Sequence, residues 1–320
     1  MIGGPPPVVE RRTIRGASAV LLPLTATGAV DLPALDAHLS RTVAAGLVPA
    51  VNMDTGFGPY LDESDRQDVL RLTASCAGEF IAGVHSDDQP GEVLDLDDLF
   101  SRTAAVAATG ALPILFPSHA LAALPEHELV EVHRRLADEV GQILGFELGP
   151  MFHPAGRIYS APVFEQLLGI DGVVGLKHSS LRRDLEWERI RIRDRVRPEF
   201  RLMTGNDLAI DMVVHGSDYL LGLSTFAPDG FAARDLAWER GDVARFWELN
   251  DLLQYLGQFA FRPPVPAYRH DAAMFLQARG QLSISRSHDL SPARSECDLD
   301  VLLDIAHRLD TMLDLPPVSI

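Results

Sequence analysis

The chain carries 27 arginines and a single lysine, Lys177. Arginine stays protonated in proteins and cannot act as a nucleophile, whereas a desolvated lysine amine attacks a carbonyl to form a Schiff base. Lys177 directly follows the apolar run Val173-Val174-Gly175-Leu176, so its stem leaves a buried segment. Burial disfavours the ammonium and favours the neutral, nucleophilic amine. Polar residues also end other apolar runs. Asn52-Met53-Asp54-Thr55-Gly56 closes one, Ser118-His119 a second, Thr204-Gly205-Asn206-Asp207 a third and Ser224-Thr225 a fourth. Glu147 lies inside an apolar run, where an unpaired carboxylate is costly. It is expected either to move protons beside Lys177 or to pair with Lys177 or Arg157.

Elements that gather such run ends are legible in the spacing. Apolar runs begin at Ala17, Val48, Phe80, Leu112, Ile143, Val173, Phe200 and Tyr219, stepping by 31, 32, 32, 31, 30, 27 and 19 residues. Short continuous apolar runs read as strands buried on both faces, as in a parallel sheet. Between them lie helical patterns such as Leu32, Leu35, Leu39 and Val43 after the N-cap candidate Asp31. A short seventh helix is expected over 208–214 and an eighth over 229–240. Eight strands alternating with eight helices predict an α/β fold, a (β/α)8 TIM barrel, over residues 16–240. Residues 1–15 form an N-terminal extension. Residues 241–320 form a C-terminal helical region, with helices over 242–261, 267–279 and 298–313 and a polar loop over 281–296. A doubly wound open sheet lacks support, because no GxGxxG follows the first strand.

The 320 residues are 47% hydrophobic and 23% charged, which excludes disorder. The net charge of −17 repels phosphate backbones and anionic lipid, so neither nucleic acid nor membrane is an expected partner. No run is long and apolar enough for a transmembrane helix, and the Pro-rich start has no apolar signal core. Cys76 and Cys297 form no metal-type pattern. A reducing, cytoplasmic setting is the expectation.

The segment Gly172-Val173-Val174-Gly175-Leu176-Lys177-His178-Ser179-Ser180 resembles the strand-six motif of the dihydrodipicolinate synthase/N-acetylneuraminate lyase family of class I aldolases. Asp54-Thr55-Gly56-Phe57-Gly58-Pro59-Tyr60-Leu61 is similar to that family's loop after strand two, which binds a keto-acid carboxylate. The resemblance runs from about Gly16 to the C-terminus. It implies an imine at Lys177, substrate contacts from Asp54, Thr55 and Gly56, a small carbonyl substrate and a homodimer or homotetramer. The chain also departs from the family. Asp54 replaces the first of two threonines, and its carboxylate opposes that of pyruvate. Ser118-His119 replaces a tyrosine pair. The strand-five tyrosine that relays protons is replaced by Glu147, on the favoured alignment, or by Met151. Tyr60 and Tyr159 are stand-in candidates for the lost phenol.

The expected function is therefore a Schiff-base lyase or aldolase acting on a small 2-oxo acid or related carbonyl. Lys177 is the nucleophile. Glu147, with His119 and Asp54, moves protons. Thr55, Arg157, Asn206 and Ser224 line the substrate site. No cofactor is required, because the protonated imine is itself the electron sink. Two other readings compete. Asp, Glu and His from separate strands suit a divalent metal in a barrel hydrolase or isomerase, although no HxH or HExxH is present. A catalytically inactive barrel with a binding role is the other.

Overall fold

A computed structural model describes residues 4–315. The first three residues of the expected N-terminal extension and the last five of the C-terminal region lie outside the described residues. The strands are β1 (Gly16–Ala19), β2 (Val48–Val51), β3 (Ile81–Val84), β4 (Leu112–Leu115), β5 (Ile143–Leu148), β6 (Val173–Ser179), β7 (Arg201–Thr204) and β8 (Asp218–Leu221). They close into one barrel in sequence order. Neighbouring strands such as β5 and β6 run parallel. The helices are α1 (Leu32–Ala44), α2 (Glu63–Cys76), α3 (Leu96–Ala108), α4 (His119–Ala123), α5 (Glu126–Val140), α6 (Ala161–Leu168), α7 (Arg183–Val196), α8 (Pro228–Arg240), α9 (Val243–Ala260), α10 (Tyr268–Ala278) and α11 (Asp298–Met312). This is the expected (β/α)8 barrel with a helical C-terminal region.

Local chemistry explains the boundaries. Asp31, Asp62, Asp95, Ser118, Ser160 and Asp242 each accept a backbone amide at a helix start. Proline occupies the first turn of α1, α6 and α8, where its missing N–H costs nothing. The strands are buried on both faces, with Leu144, Phe146 and Leu176 fully enclosed. The expected seventh helix is instead a 3-10 turn over Ile210–His215. It is six residues long and rich in β-branched side chains, which suits a tight turn better than an α-helix. The short α4 has no counterpart in the sequence reading, because five residues carry no periodicity.

The chain divides into two compact units. One holds Glu79–Leu220 with the N-terminal residues up to Val9, and the other holds Glu10–Gly78 with the residues from Leu221 onward. In the first unit α7 lies on the sheet and buries Glu186, Arg189, Ile190, Ile192 and Arg193. In the second, α9, α10 and α11 form the helical region, with α10 and α11 in close contact.

Candidate active site

In the first unit, register decides which side chains can meet. Phe146 pairs with Lys177, and Lys177 with Met203. Glu147 pairs with His178, and His178 with Thr204. Residues in register share a face of the sheet, and successive residues alternate. Two belts result, one containing Phe146, Lys177 and Met203, the other Glu147, His178 and Thr204.

Lys177 is only 4% exposed, and its Nζ lies 4.5 Å from the centroid of the Phe146 ring. Gly205, just past β7, makes room for its stem. A Cβ at Gly205 would stand 1.9 Å from Ser179 Oγ and 2.8 Å from Lys177 Cε. Ser179 Oγ is buried and has no hydrogen-bond partner. The amine thus ends in a buried position beside an aromatic ring.

The other belt is a buried polar network clamped by α7. Arg189 donates to both oxygens of Glu147, Nε to Oε2 at 3.1 Å and Nη2 to Oε1 at 2.7 Å. His178 Nδ1 is 2.6 Å from Oε2, and the Tyr159 amide donates to Oε1 at 2.8 Å. Burial alone would raise the Glu147 pKa, but His178 and Arg189 overcome it and bring it down to about 2. Glu147 is therefore a fixed anion with its oxygens occupied. It lies on the face opposite to Lys177, and its cation is Arg189, which the sequence reading did not name. That reading placed Glu147 within the strand but beside Lys177, whereas strand alternation turns it to the other face.

His178 Nε2 is 2.7 Å from Ser180 Oγ, completing an acid–histidine–serine series. The Ser180 hydroxyl is tied to both the amide and the carbonyl of Arg182, so it anchors a turn. One turn earlier on α7, Glu186 accepts from Thr204 Oγ1 at 2.9 Å. Burial pushes Glu186 up to about 8, against the opposing pull of Thr204 and Arg183. Glu186 and Arg189 thus hold the ends of β5, β6 and β7 from behind.

The remaining expected residues of this unit have other partners. His119 opens α4 with its ring 6.1 Å from that of His153. Arg157 donates from Nη1 to the carbonyls of Ala122 at 3.1 Å and Leu124 at 2.7 Å. It serves the carbonyl end of α4, where a cation is favourable. Asn206 Oδ1 accepts the Leu208 amide, and its own amide donates to Thr204 Oγ1.

The second unit holds Asp54, Thr55 and Gly56 after β2. Gly56 is required by close approach, since a Cβ there would lie 2.9 Å from the Val20 carbonyl oxygen. Tyr268, on the first turn of α10, donates from Oη to Asp54 Oδ2 at 2.9 Å and lies 2.8 Å from Thr55 Oγ1. A phenol has one hydrogen. With that hydrogen on Asp54, the Thr55 hydroxyl must donate to the phenol oxygen. The result is a directed series, Thr55 to Tyr268 to the Asp54 carboxylate. Tyr268 is 1% exposed and stacked on Phe261 at 4.2 Å between centroids. Gly222 clears the pair, as its Cβ would lie 3.2 Å from Thr55 Oγ1. Sequence reasoning missed Tyr268 because 213 residues separate it from Thr55. Of the tyrosines it weighed, Tyr159 donates to the Phe146 carbonyl and Tyr60 stacks on His288. Ser224 Oγ donates to the Leu221 carbonyl at 2.9 Å.

Among the described residues, no three His, Cys, Asp or Glu side chains converge as metal ligands would. Nor is any helix among them long and apolar enough to cross a membrane.

Residues 17–316 match the family described as "Protein of unknown function (DUF993)". The chain belongs to that family. None of the curated proteins matches this DUF993 chain. Solved structures do. Sialic acid aldolase of Ruminococcus gnavus is 15% identical with a TM-score of 0.79, over 94% of this chain and 98% of that one. Dihydrodipicolinate synthase of Thermotoga maritima is 16% identical with a TM-score of 0.78, over 93% and 99%. A prophage protein of Escherichia coli K12 belonging to the dihydrodipicolinic acid synthase family, in complex with pyruvate, is 16% identical with a TM-score of 0.78, over 93% and 98%. The DUF993 chain therefore has the fold of the class I aldolases and lyases, in a divergent sequence.

Proposed function

We propose that the protein is a Schiff-base-forming lyase or aldolase acting on a small 2-oxo acid or related carbonyl compound. The observation that carries the reading is the environment of Lys177. The only primary amine among the side chains is enclosed on a barrel strand, beside an aromatic ring and a glycine that leaves room for its stem. A structure similar to this chain is that of a catalytic lysine mutant of the Ruminococcus gnavus sialic acid aldolase.

The Lys177 amine attacks the carbonyl carbon, and the carbinolamine loses water to leave a protonated imine. Electrons from the adjacent C–C or C–H bond flow into that imine, and a proton returns to carbon when it collapses. Glu147, whose oxygens are occupied, does not carry the protons in this reading, and the role is left to Asp54 and His119, as the sequence reading has it. Arg269 donates to the backbone oxygen of Asp54 at 3.0 Å. Asp54 opposes a substrate carboxylate, and a hydroxyl on the substrate is the better match for this loop. The reading includes a homodimer or homotetramer, as the family resemblance implies, and a cytoplasmic setting, as the two separate cysteines suggest.

Deuterium exchange at the carbon beside the carbonyl, followed by proton NMR across a panel of 2-oxo acids and sugar acids, tests the reading. Exchange with wild type and none with Lys177→Arg supports it. Equal exchange by both proteins removes Lys177 from the chemistry.

A further inference from the structure

On β5 the residue in register with Lys177 is Phe146, and Lys177 Nζ stands over its ring, 4.5 Å from the centroid. Phe146 is fully buried and Lys177 nearly so. A phenyl ring has no proton to give or take. What it presents to a nitrogen above it is the negative face of its quadrupole, which attracts a cation most strongly where water is excluded.

The ring is held for this contact. Phe116, just past β4, meets Phe146 at 78° with 5.4 Å between centroids, a T-shaped pair. His85 and His153 pack in turn on Phe116, at 4.4 and 5.8 Å between centroids. The titratable residues next along β5 and β6, Glu147 and His178, turn to the other face, where Arg189 binds Glu147. Glu186 lies on that side too, bonded to Thr204 in register with His178.

We propose that Phe146 is a catalytic residue whose ring face stabilises the positive charge that develops on Lys177 Nζ as the imine forms. The assignment rests on the imine reading and adds a residue to it. When the carbinolamine collapses, its hydroxyl takes one proton from solvent and leaves as water, while the nitrogen lone pair closes the C=N bond. The nitrogen becomes cationic in that step, with the ring already in place beside it. Burial opposes a cation at this position, and the ring face offsets part of that opposition.

The single lysine makes the test direct. Lysine labelled with 13C at Cε gives one side-chain resonance, whose pH titration reads the Nζ pKa with no carbonyl present. Capture is read with formaldehyde and cyanoborohydride, as the rate of methylation at residue 177 divided by the neutral-amine fraction. The variants are Phe146→Leu and two proteins carrying 4-fluoro- or 3,5-difluorophenylalanine at position 146, which keep the ring's shape and progressively drain its face. In Phe146→Leu the pKa should fall by about half a unit or more and capture should slow by roughly threefold to tenfold, the range that a desolvated cation–ring contact supports. The fluorinated proteins should fall in order between wild type and Phe146→Leu. If Phe146→Leu does not fold, the fluorinated pair decides alone. Fluorinated proteins indistinguishable from wild type, or a pKa that moves while capture does not, overturn the proposal. Because the titration needs no carbonyl, a flat fluorinated series leaves the imine reading standing. Absence of any 2-oxo-acid adduct at Lys177 removes the imine reading and the catalytic role together, with the titration series still in place to show the ring contact.

Discussion

Gly205 faces the stem of Lys177 with no room for a methyl group between them. Gly205→Ala would place its Cβ on Ser179 Oγ and against Lys177 Cε. Overpacking of this kind costs about 1–3 kcal/mol. We expect a lower thermal midpoint and at least a tenfold loss of carbonyl trapping. Adding Ser179→Ala, which removes the oxygen nearest the new methyl, should restore part of both. Unchanged trapping in the single variant would show that the stem's position is not set by Gly205.

Glu147→Gln tests the clamp behind β5. It leaves Arg189, itself 1% exposed, with the half-exposed Glu188 as its remaining carboxylate. Breaking one side of a buried pair costs about 3–5 kcal/mol. The pH dependence has a definite sign. The Glu147 pKa falls from 4.5 to about 2 on folding. Its contribution is full above the unfolded value and is lost as pH falls through the window from 4.5 to about 2, on the order of 3 kcal/mol in all. Urea melts at pH 7 and pH 2.5 should show a gap between wild type and Glu147→Gln that shrinks at the lower pH.

Glu186 behaves in the opposite way. Its pKa rises from 4.5 to about 8 on folding, chiefly by burial. Between those values the folded protein holds a proton that the unfolded chain has released, so stability falls as pH rises. The cost reaches about 3 kcal/mol near pH 7. Glu186→Gln keeps an acceptor for Thr204 without that cost. Its melting midpoint should match wild type near pH 4 and exceed it increasingly up to pH 8. A constant offset across this range would contradict the assignment.

Tyr268→Phe removes the middle of the Thr55–Tyr268–Asp54 series and leaves the ring stacked on Phe261. Asp54 and Thr55 each lose a buried hydrogen-bond partner, at a cost of about 1–3 kcal/mol. The expected result is a thermal midpoint clearly below that of wild type, and an unchanged midpoint would contradict the assignment of these bonds.

The barrel was readable because its strands are buried on both faces and recur at a nearly constant step, a signal carried by local sequence. Lys177 was readable for the same reason, since the run before it fixes where its stem begins. Glu147 was placed within the right strand, but the face it points to was not read. A one-residue step moves a side chain from one face of the sheet to the other. Its partner Arg189 lies 42 residues away on a helix whose many charges read as solvated. Tyr268 lay beyond reach for a related reason: nothing near it in sequence points to Thr55. Arg157 shows a third limit, because its partners are backbone carbonyls of α4, a helix too short to leave a pattern.

The central claim is that the Lys177 amine captures a carbonyl. Borohydride reduction with a panel of 2-oxo acids and sugar acids, followed by peptide mass spectrometry, tests it most directly. The account predicts a mass gain equal to the reduced adduct on the peptide containing residue 177, and none in Lys177→Arg. An adduct confined to the N-terminal amine, or no adduct with any carbonyl while the enzyme turns one over, would contradict it.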